Sequence, residues 1–312
     1  MLWPFWTQKT SDEESAVRSV DAAAIIRRAR RLRFSARPSA LSMLSGAYHG
    51  ARPGSGLTFA ELRAYEPGDD VRHLDWNVTA RQGRPYVRRY IEERSLILWL
   101  VADISASMRF GPDGRSKADR AAQAAALLAT AAIRNGDHVG LMLVSDRVEA
   151  ELVPGGGTRR LARILRALAA TPAVSKRTDL TVAFGRLKST AQRGLLVVLS
   201  DFLGDLPVGV WRREASRRQM LALRFLEPRE QKLPKVGLLS VEDAETGVRR
   251  LIDADSKRVR DGFSTAAAQS CDDFRSWCAA TRIAGYDIDA SVDPIIPLIR
   301  IFSGRAARRT SR

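Results

Sequence analysis

Apolar and polar segments alternate along the chain from Ser95 onward. Short apolar runs are typical of buried strands, and longer segments with apolar residues every three or four positions are typical of helices. The predicted strands cover residues 95–102, 138–145, 147–153, 194–200, 220–225, 237–242, 247–252 and 287–290. The predicted helices cover residues 117–134, 159–170, 180–188, 208–218 and 256–283, with Thr158 as the N-cap of the second. This rhythm predicts an α/β fold, a Rossmann-like sheet with helices on both faces.

The first 94 residues lack this rhythm. We expect a flexible N-terminus over residues 1–17, followed over residues 18–94 by a basic helix and a small β-containing module. A Gly/Pro-rich stretch at residues 50–56 separates the helix from the module. The α/β domain is then predicted to cover residues 95–304, and the basic tail at residues 305–312 is predicted to be disordered.

The composition is that of a folded protein without a disulfide or zinc framework. The hydrophobic fraction is 45% and the charged fraction is 28%, both ordinary for globular proteins. Cys271 and Cys278 lie seven positions apart in a predicted helix, about 10 Å along its axis, which is too far for a disulfide. With only three histidines, a Cys/His zinc site is not expected. Reduced thiols are typical of the cytoplasm.

No segment of the sequence has the length of a membrane span. The longest apolar run, residues 96–102, is far shorter than the ~20 residues that a spanning helix needs. The N-terminal Met-Leu-Trp-Pro-Phe-Trp is soon followed by polar and acidic residues, so no signal peptide is predicted. We therefore expect a cytoplasmic protein without a transmembrane segment.

Positive charge is concentrated in one place. The chain carries 51 Lys and Arg against 35 Asp and Glu, a formal net charge of +16. Six arginines fall within residues 27–37, on a predicted amphipathic helix. Such a stripe can bind nucleic acid or anionic lipid, or form a solvated helix face. No nucleic-acid-binding motif accompanies it, which favours an acidic protein surface as the partner.

Five oxygen-bearing side chains are predicted to meet at one edge of the sheet. Asp103, Ser105 and Ser107 follow the first strand of the α/β domain, Thr178 precedes a later helix, and Asp201 follows another strand. Ligands of open α/β sheets bind beyond the carboxyl ends of the strands, where these residues are expected. Carboxylate and hydroxyl oxygens suit Mg²⁺ or Mn²⁺. The pattern therefore predicts a divalent-metal site with one open coordination position.

Each of these residues also has an ordinary structural explanation. Asp and Ser often stabilise turns after strands, and Thr178 could be a helix N-cap. Their joint placement at three strand ends favours the metal site. Competing enzyme motifs are missing, since the sequence has no P-loop. Ser105 also stands where a haloacid-dehalogenase phosphatase needs a second carboxylate.

Two motifs carry a resemblance to known families. Asp103-x-Ser105-x-Ser107 with the later Thr178 and Asp201 resembles the metal-ion-dependent adhesion site of von Willebrand factor A domains. Residues 54–81 (GSGLTFAELRAYEPGDDVRHLDWNVTAR) are similar to the signature of the bacterial domain-of-unknown-function 58 family. The resemblance covers roughly residues 18–245. It implies a von Willebrand A-type sheet and a MoxR-type AAA+ ATPase as partner. Family members often carry N-terminal membrane helices, which this sequence lacks.

The signature block also has a physical interpretation. Asp69, Asp70 and Asp75 lie close in sequence to several arginines, which predicts buried or partly buried ion pairs. Trp76 is predicted to be buried and to anchor the module on the sheet. Catalysis by these carboxylates is conceivable, but no nucleophile or histidine accompanies them.

Together these observations predict a non-enzymatic, metal-dependent protein-binding module that works with a MoxR-like AAA+ ATPase in the assembly or maturation of other proteins. Two alternatives stay open. One is a metal-assisted hydrolase that uses the same residues. The other is an adaptor whose basic helix binds nucleic acid or a membrane surface.

Overall fold

The computed structural model of the chain describes residues 6–7, 57–67, 69–92, 96–112, 115–170, 175, 177–187, 194–244 and 247–302. They divide into two compact units, one within Ala47–Ser95 and one that comprises the described residues of Met1–Gly46 and Leu96–Arg312. The predicted basic stripe at residues 27–37 and the predicted tail at residues 305–312 lie outside the described residues.

The strands and helices follow the chain in an alternating order. The described strands are β1 (Trp6–Thr7), β2 (Leu57–Ala64), β3 (Tyr86–Glu92), β4 (Ile97–Asp103), β5 (His138–Val144), β6 (Val148–Gly155), β7 (Leu195–Ser200), β8 (Gln219–Leu226), β9 (Leu238–Asp243), β10 (Arg249–Asp253) and β11 (Ala284–Asp289). The described α-helices are α1 (Trp76–Gln82), α2 (Lys117–Arg134), α3 (Gly157–Ala170), α4 (Val182–Leu187), α5 (Val208–Ala215), α6 (Lys257–Thr281) and α7 (Ile295–Phe302).

A six-stranded sheet forms the centre of the larger unit. Its strand order is β11-β8-β7-β4-β5-β6. All neighbouring strands are parallel except β6, which pairs antiparallel with β5. The predicted α/β class is therefore confirmed as a mostly parallel sheet flanked by helices.

Both faces of the sheet are covered, as the alternating side chains of β4 show. Leu98, Leu100 and Ala102 pack in a core with α2, α3 and α7. Trp99 and Val101 pack in a second core with α4, α5 and α6. Because successive side chains of a strand point to opposite faces, β4 is apolar up to Ala102 and buried on both sides.

Helix α2 begins at a well-defined N-terminal cap beside the sheet. The Ser116 hydroxyl accepts the backbone N–H of Asp119 at 3.1 Å, and the Asp119 carboxylate accepts the backbone N–H of Ser116 at 3.0 Å. This reciprocal capping box satisfies two backbone donors at the helix start. The alanine-rich face that follows is almost fully buried, because small side chains allow the helix to lie close to the strands.

Five aromatic side chains form the core of the opposite face. Trp211 lies 4.8 Å from Phe184 and 5.0 Å from Trp277 between ring centroids, and Phe202 lies 5.1 Å from Phe274. The edge-to-face pairs add to the apolar burial of these rings. The cluster joins α4, α5 and α6 to the segment directly after β7.

The predicted hairpin is present, and it lies outside the central sheet. Strands β9 and β10 pair antiparallel, with Leu251 opposite Ser240. The two residues of β1 pair antiparallel with β9 on its other edge. These strands form a separate three-stranded sheet.

The smaller unit contains the antiparallel pair β2–β3 and the short helix α1. The Arg63 guanidinium donates to the Asp69 carboxylate at 2.6 Å, as the predicted ion pairing requires. Asp70 and Asp75 also accept backbone N–H groups and cap helical segments. The prediction that Trp76 is a buried anchor was wrong, because Trp76 is the first residue of α1 and is 70% exposed.

Most predicted elements of the larger unit are present, with ends shifted by at most three residues. The N-cap assignment of Thr158 was wrong, because α3 already begins at Gly157. Gly157 has φ +78°, a conformation that glycine adopts without a Cβ clash. Helix α7 was not predicted. Among the described helices, none is long and apolar enough to cross a membrane.

Candidate functional site

The strand order reverses direction between β4 and β7. Strand β5, the next along the chain, pairs with one edge of β4, and the later strand β7 pairs with the other edge of β4. Ligand crevices of open α/β sheets lie at such reversals of strand order. Asp103 is the last residue of β4 and Asp201 directly follows β7. The fold therefore brings both predicted carboxylates to the expected position.

Asp103 is buried and held by both neighbouring segments. It is 1% exposed. One carboxylate oxygen accepts the backbone N–H of Ser105 at 2.8 Å, and the other accepts the hydroxyl of Ser200 at 2.6 Å. The Ser200 hydroxyl also accepts the backbone N–H of Phe202 at 2.9 Å. These bonds fix the carboxylate between the ends of β4 and β7.

The two predicted serines lie beside this carboxylate in the loop after β4. The Ser105 and Ser107 hydroxyl oxygens are 3.2 Å apart, and both residues are buried. Ser107 begins a short 3-10 helix that ends at Arg109. The loop thus turns two neighbouring hydroxyl groups towards each other within the interior.

Thr178 lies beside the loop that carries Asp201. The Thr178 carbonyl oxygen lies close to Gly204, because a Cβ atom added to that glycine would be 3.9 Å from it. The backbone N–H of the next residue, Asp179, donates to the Ser145 carbonyl at 2.9 Å. Thr178 is not a helix N-cap, since α4 begins only at Val182. Among the described residues, the buried Thr178 hydroxyl has no hydrogen-bond partner.

Asp201 is paired with a lysine that the sequence analysis did not single out. It is 1% exposed, and its Oδ2 atom accepts from the Lys117 ammonium at 2.8 Å. Its Oδ1 atom accepts the Leu203 backbone N–H at 3.3 Å. The next residue, Phe202, has φ +52°, an uncommon conformation for a bulky side chain. Asp201 therefore lies in a tightly constrained turn.

Lys117 also contacts a third carboxylate. Its ammonium donates to Glu230 at 2.6 Å, and its own side chain is 0% exposed. Glu230 ends a 3-10 helix that begins at Pro228, shortly after β8. One feature of the sequence could have indicated Lys117, namely its place as the first residue of a helix. A cation there is opposed by the helix dipole.

Burial and like charges shift the pKa values of this cluster. Burial and the neighbouring Asp201 raise the pKa of Asp103 to about 7. Burial lowers the pKa of Lys117, but the carboxylates of Asp201 and Glu230 outweigh this effect and hold that pKa above its ordinary value. Burial also raises the pKa of Glu230. The ammonium stays charged, whereas Asp103 forms no ion pair with a Lys or Arg of the described residues.

The residues present fit a divalent cation. The candidate set contains two carboxylates and three hydroxyl groups, and hard oxygen donors suit Mg²⁺ or Mn²⁺. Each carboxylate oxygen that accepts one hydrogen bond keeps a second lone pair. The Thr178 hydroxyl, which accepts and donates no hydrogen bond within the described part of the chain, offers a further oxygen ligand. No group of three His, Cys, Asp or Glu side chains suited to a metal occurs within the described ranges, so the hydroxyl groups would be essential ligands.

Other candidate residues lie elsewhere. His138 begins β5, at the strand end opposite Val144, which pairs with Asp103. Asp69, Asp70 and Asp75 belong to the separate smaller unit. Cys271 and Cys278 are free cysteines.

Comparison with known sequences identifies relatives without an assigned activity. Residues 61–273 match the family described as "Protein of unknown function DUF58". The uncharacterized protein Rv1480 of Mycobacterium tuberculosis is 38% identical over 233 residues, which cover 72% of this chain and 72% of that protein. The uncharacterized protein Mb1516 of Mycobacterium bovis shows the same identity and coverage.

Two solved structures show distant similarity. The conserved hypothetical protein BatB from Bacteroides thetaiotaomicron is 14% identical with a TM-score of 0.43, covering 68% of this chain and 100% of that chain. The pilus adhesin SpaC from Lactobacillus rhamnosus GG is 11% identical with a TM-score of 0.37, covering 70% of this chain and 31% of that chain.

Proposed function

This chain belongs to the DUF58 family of unknown function, and from that premise we propose that it is a non-enzymatic module that binds a partner protein through a divalent metal ion. Asp103, Ser105, Ser107, Thr178 and Asp201 would hold Mg²⁺ or Mn²⁺. When bound, the ion would supply an open coordination position for a carboxylate of an acidic partner surface.

The observation that carries this proposal is the arrangement of oxygen atoms between the ends of β4 and β7. Asp103 is buried beside Asp201 with a pKa raised to about 7, so its negative charge is poorly compensated. The Thr178 hydroxyl is buried and has no hydrogen-bond partner in the part of the chain that the structure describes. Buried polar groups normally have partners, and we propose that one cation is the partner of both groups.

The finer details of the proposal come from the family resemblance. We propose that the α/β unit is of the von Willebrand A type, with the strand-end residues in the role of the metal-ion-dependent adhesion site. The partner would be a MoxR-like AAA+ ATPase in the cytoplasm. The two proteins would act together in the assembly or maturation of other proteins.

The site is less suited to hydrolysis than to binding. Activating a metal-bound water needs a neighbouring general base. Asp103 and Asp201 would be occupied by the metal, and Glu230 already accepts from Lys117 at 2.6 Å. His138 lies at the opposite end of its strand. We therefore propose that the protein does not hydrolyse phosphoesters, nucleotides or peptides.

A capture experiment tests the proposal. Immobilised protein is incubated with a purified MoxR-type ATPase in Mg²⁺ or in EDTA, and the bound ATPase is quantified. Capture should occur in Mg²⁺, disappear in EDTA, and disappear for Asp103→Asn. The exposed Asp205 provides the matched control, and Asp205→Asn should bind like the wild type.

The other outcomes identify the alternatives. Binding would be assigned to the basic stripe if EDTA has no effect on capture but capture is lost on replacement of Arg27, Arg28, Arg30 and Arg31. Metal-dependent turnover that is lost in Asp103→Asn would establish the hydrolase. Either result contradicts the proposed function.

A further inference from the structure

The ammonium of Lys117 is enclosed by the candidate site. Its side chain is 0% exposed, and its Nζ atom donates to Asp201 at 2.8 Å and to Glu230 at 2.6 Å. The backbone N–H of the same residue donates to the Phe110 carbonyl at 3.1 Å, next to the 3-10 helix that Ser107 begins. Lys117 therefore connects the segments after β4, β7 and β8.

This placement is unfavourable for a residue that only fills space. A lysine at the first position of a helix opposes the helix dipole. A fully buried ion pair is seldom more stabilising than apolar residues of the same size. The positive charge of Lys117 itself therefore has a function at this position.

The formal charges indicate that use. Asp103, Asp201 and Glu230 provide three carboxylates, and Lys117 provides one ammonium. Glu227 is also nearby, but Arg229 lies 3.9 Å from its carboxylate and offsets its charge. The formal charges of these six described residues add up to −2, which one divalent cation would neutralise.

We propose that Lys117 is a built-in cation of the site, which restricts the site to one divalent ion and holds Asp201 and Glu230 together when no metal is bound. This inference rests on the proposed metal site. It adds that Lys117 determines the charge of the ion, although it is not itself a ligand. Glu230 is assigned as the second anchor of the ammonium.

Removing the two charges one at a time should have opposite effects on metal affinity. Lys117→Met keeps an unbranched side chain and removes the positive charge, so that the negative charge around the metal ligands Asp103 and Asp201 is less compensated. Glu230→Gln removes one negative charge. Calorimetric titration with Mg²⁺ should show about tenfold tighter binding for Lys117→Met and about tenfold weaker binding for Glu230→Gln. La³⁺ should gain more than Mg²⁺ from Lys117→Met.

Lys257 provides a matched control, because it is also the first residue of a helix but is exposed. Lys257→Met should leave both affinities unchanged. A purely structural role for Lys117 would lower the thermal midpoint in EDTA without moving the two affinities in opposite directions. Mg²⁺ affinities within twofold of the wild type in both site variants would overturn the proposal.

The experiment separates this inference from the proposed function. If the wild type binds no Mg²⁺ but Lys117→Met does, the proposed function fails, while Lys117 is established as the cation of the site. If neither protein binds Mg²⁺, the inference fails as well. If Lys117→Met does not fold, the Glu230→Gln titration decides, because an unchanged affinity there contradicts the charge balance and a weaker affinity supports it.

Discussion

Replacing Asp103 with asparagine should stabilise the metal-free protein. The side chain is 1% exposed and lies beside the second carboxylate, Asp201. Because its pKa in the folded protein is raised from 3.8 to about 7, ionisation of Asp103 favours the unfolded state. The resulting loss of folding stability is absent below about pH 4, increases up to about pH 7, and reaches its full size at pH 8.

The size of the effect follows from the pKa. A rise of about three units corresponds to about 4 kcal/mol, at about 1.4 kcal/mol per unit. Asparagine keeps an oxygen for the Ser105 N–H, but its amide would face the Ser200 hydroxyl, which now donates to Asp103 at 2.6 Å. Losing that hydrogen bond reduces the gain in stability by about 1 kcal/mol. The net gain is then about 3 kcal/mol, or roughly 5–10 °C in the thermal midpoint.

Scanning calorimetry at pH 8 in EDTA measures this difference. Asp205→Asn, an exposed acid four positions after Asp201, controls for the loss of a negative charge from a basic protein. Its midpoint should match that of the wild type. A midpoint for Asp103→Asn below that of the wild type in EDTA would refute the reasoning, since it would mean that the Asp103 charge is already compensated.

Two further predictions concern the aromatic core and the cysteines. Trp211→Ala should lower the free energy of unfolding by about 3–5 kcal/mol because Trp211 is fully buried, whereas Trp76→Ala, at a 70% exposed position, should change it by less than about 0.5 kcal/mol. Urea unfolding measures both, and equal losses would contradict the structure. The Cys278 thiol should resist iodoacetamide at pH 8 in the folded protein, because burial raises its pKa to about 12 and only the thiolate reacts. Mass spectrometry measures the rate of modification, and equal rates for Cys278 in the folded and the denatured protein would contradict this prediction.

Local sequence patterns were sufficient to predict the α/β class. The apolar run of β4 and the alanine-rich face of α2 reflect burial against a two-sided sheet, and that burial is visible in the sequence as periodicity. Helix α7 was missed because it is short and contains Pro297. A proline in the first turn of a helix costs no hydrogen bond, so Pro297 is compatible with α7.

The exposed position of Trp76 shows a limit of residue type as a guide to burial. Large aromatic residues are usually buried, which led to the predicted anchor. The capping carboxylate of Asp75 begins α1 at Trp76, and the side chain in that first position is 70% exposed. Local hydrogen bonding thus determined its position more than hydrophobicity did.

The site was predictable only in part for a similar reason. Asp103 and Asp201 each follow an apolar strand, so the rule for parallel sheets was enough to place them together. Lys117 and Glu230 are 113 positions apart, and their contact depends on which side of β4 the strand β7 occupies. The sequence pattern does not specify strand order, so the ammonium between two carboxylates could be found only in the folded structure.

Binding of Mg²⁺ to the wild-type protein tests the central claim most directly. The thermal midpoint is measured across a series of Mg²⁺ concentrations for the wild type and for Asp103→Asn, because a ligand that binds only the folded state raises its stability with concentration. We predict a rise that increases with Mg²⁺ for the wild type and no rise for Asp103→Asn. A wild-type midpoint that does not respond to Mg²⁺, or an equal rise in both proteins, would contradict the assignment of the metal site.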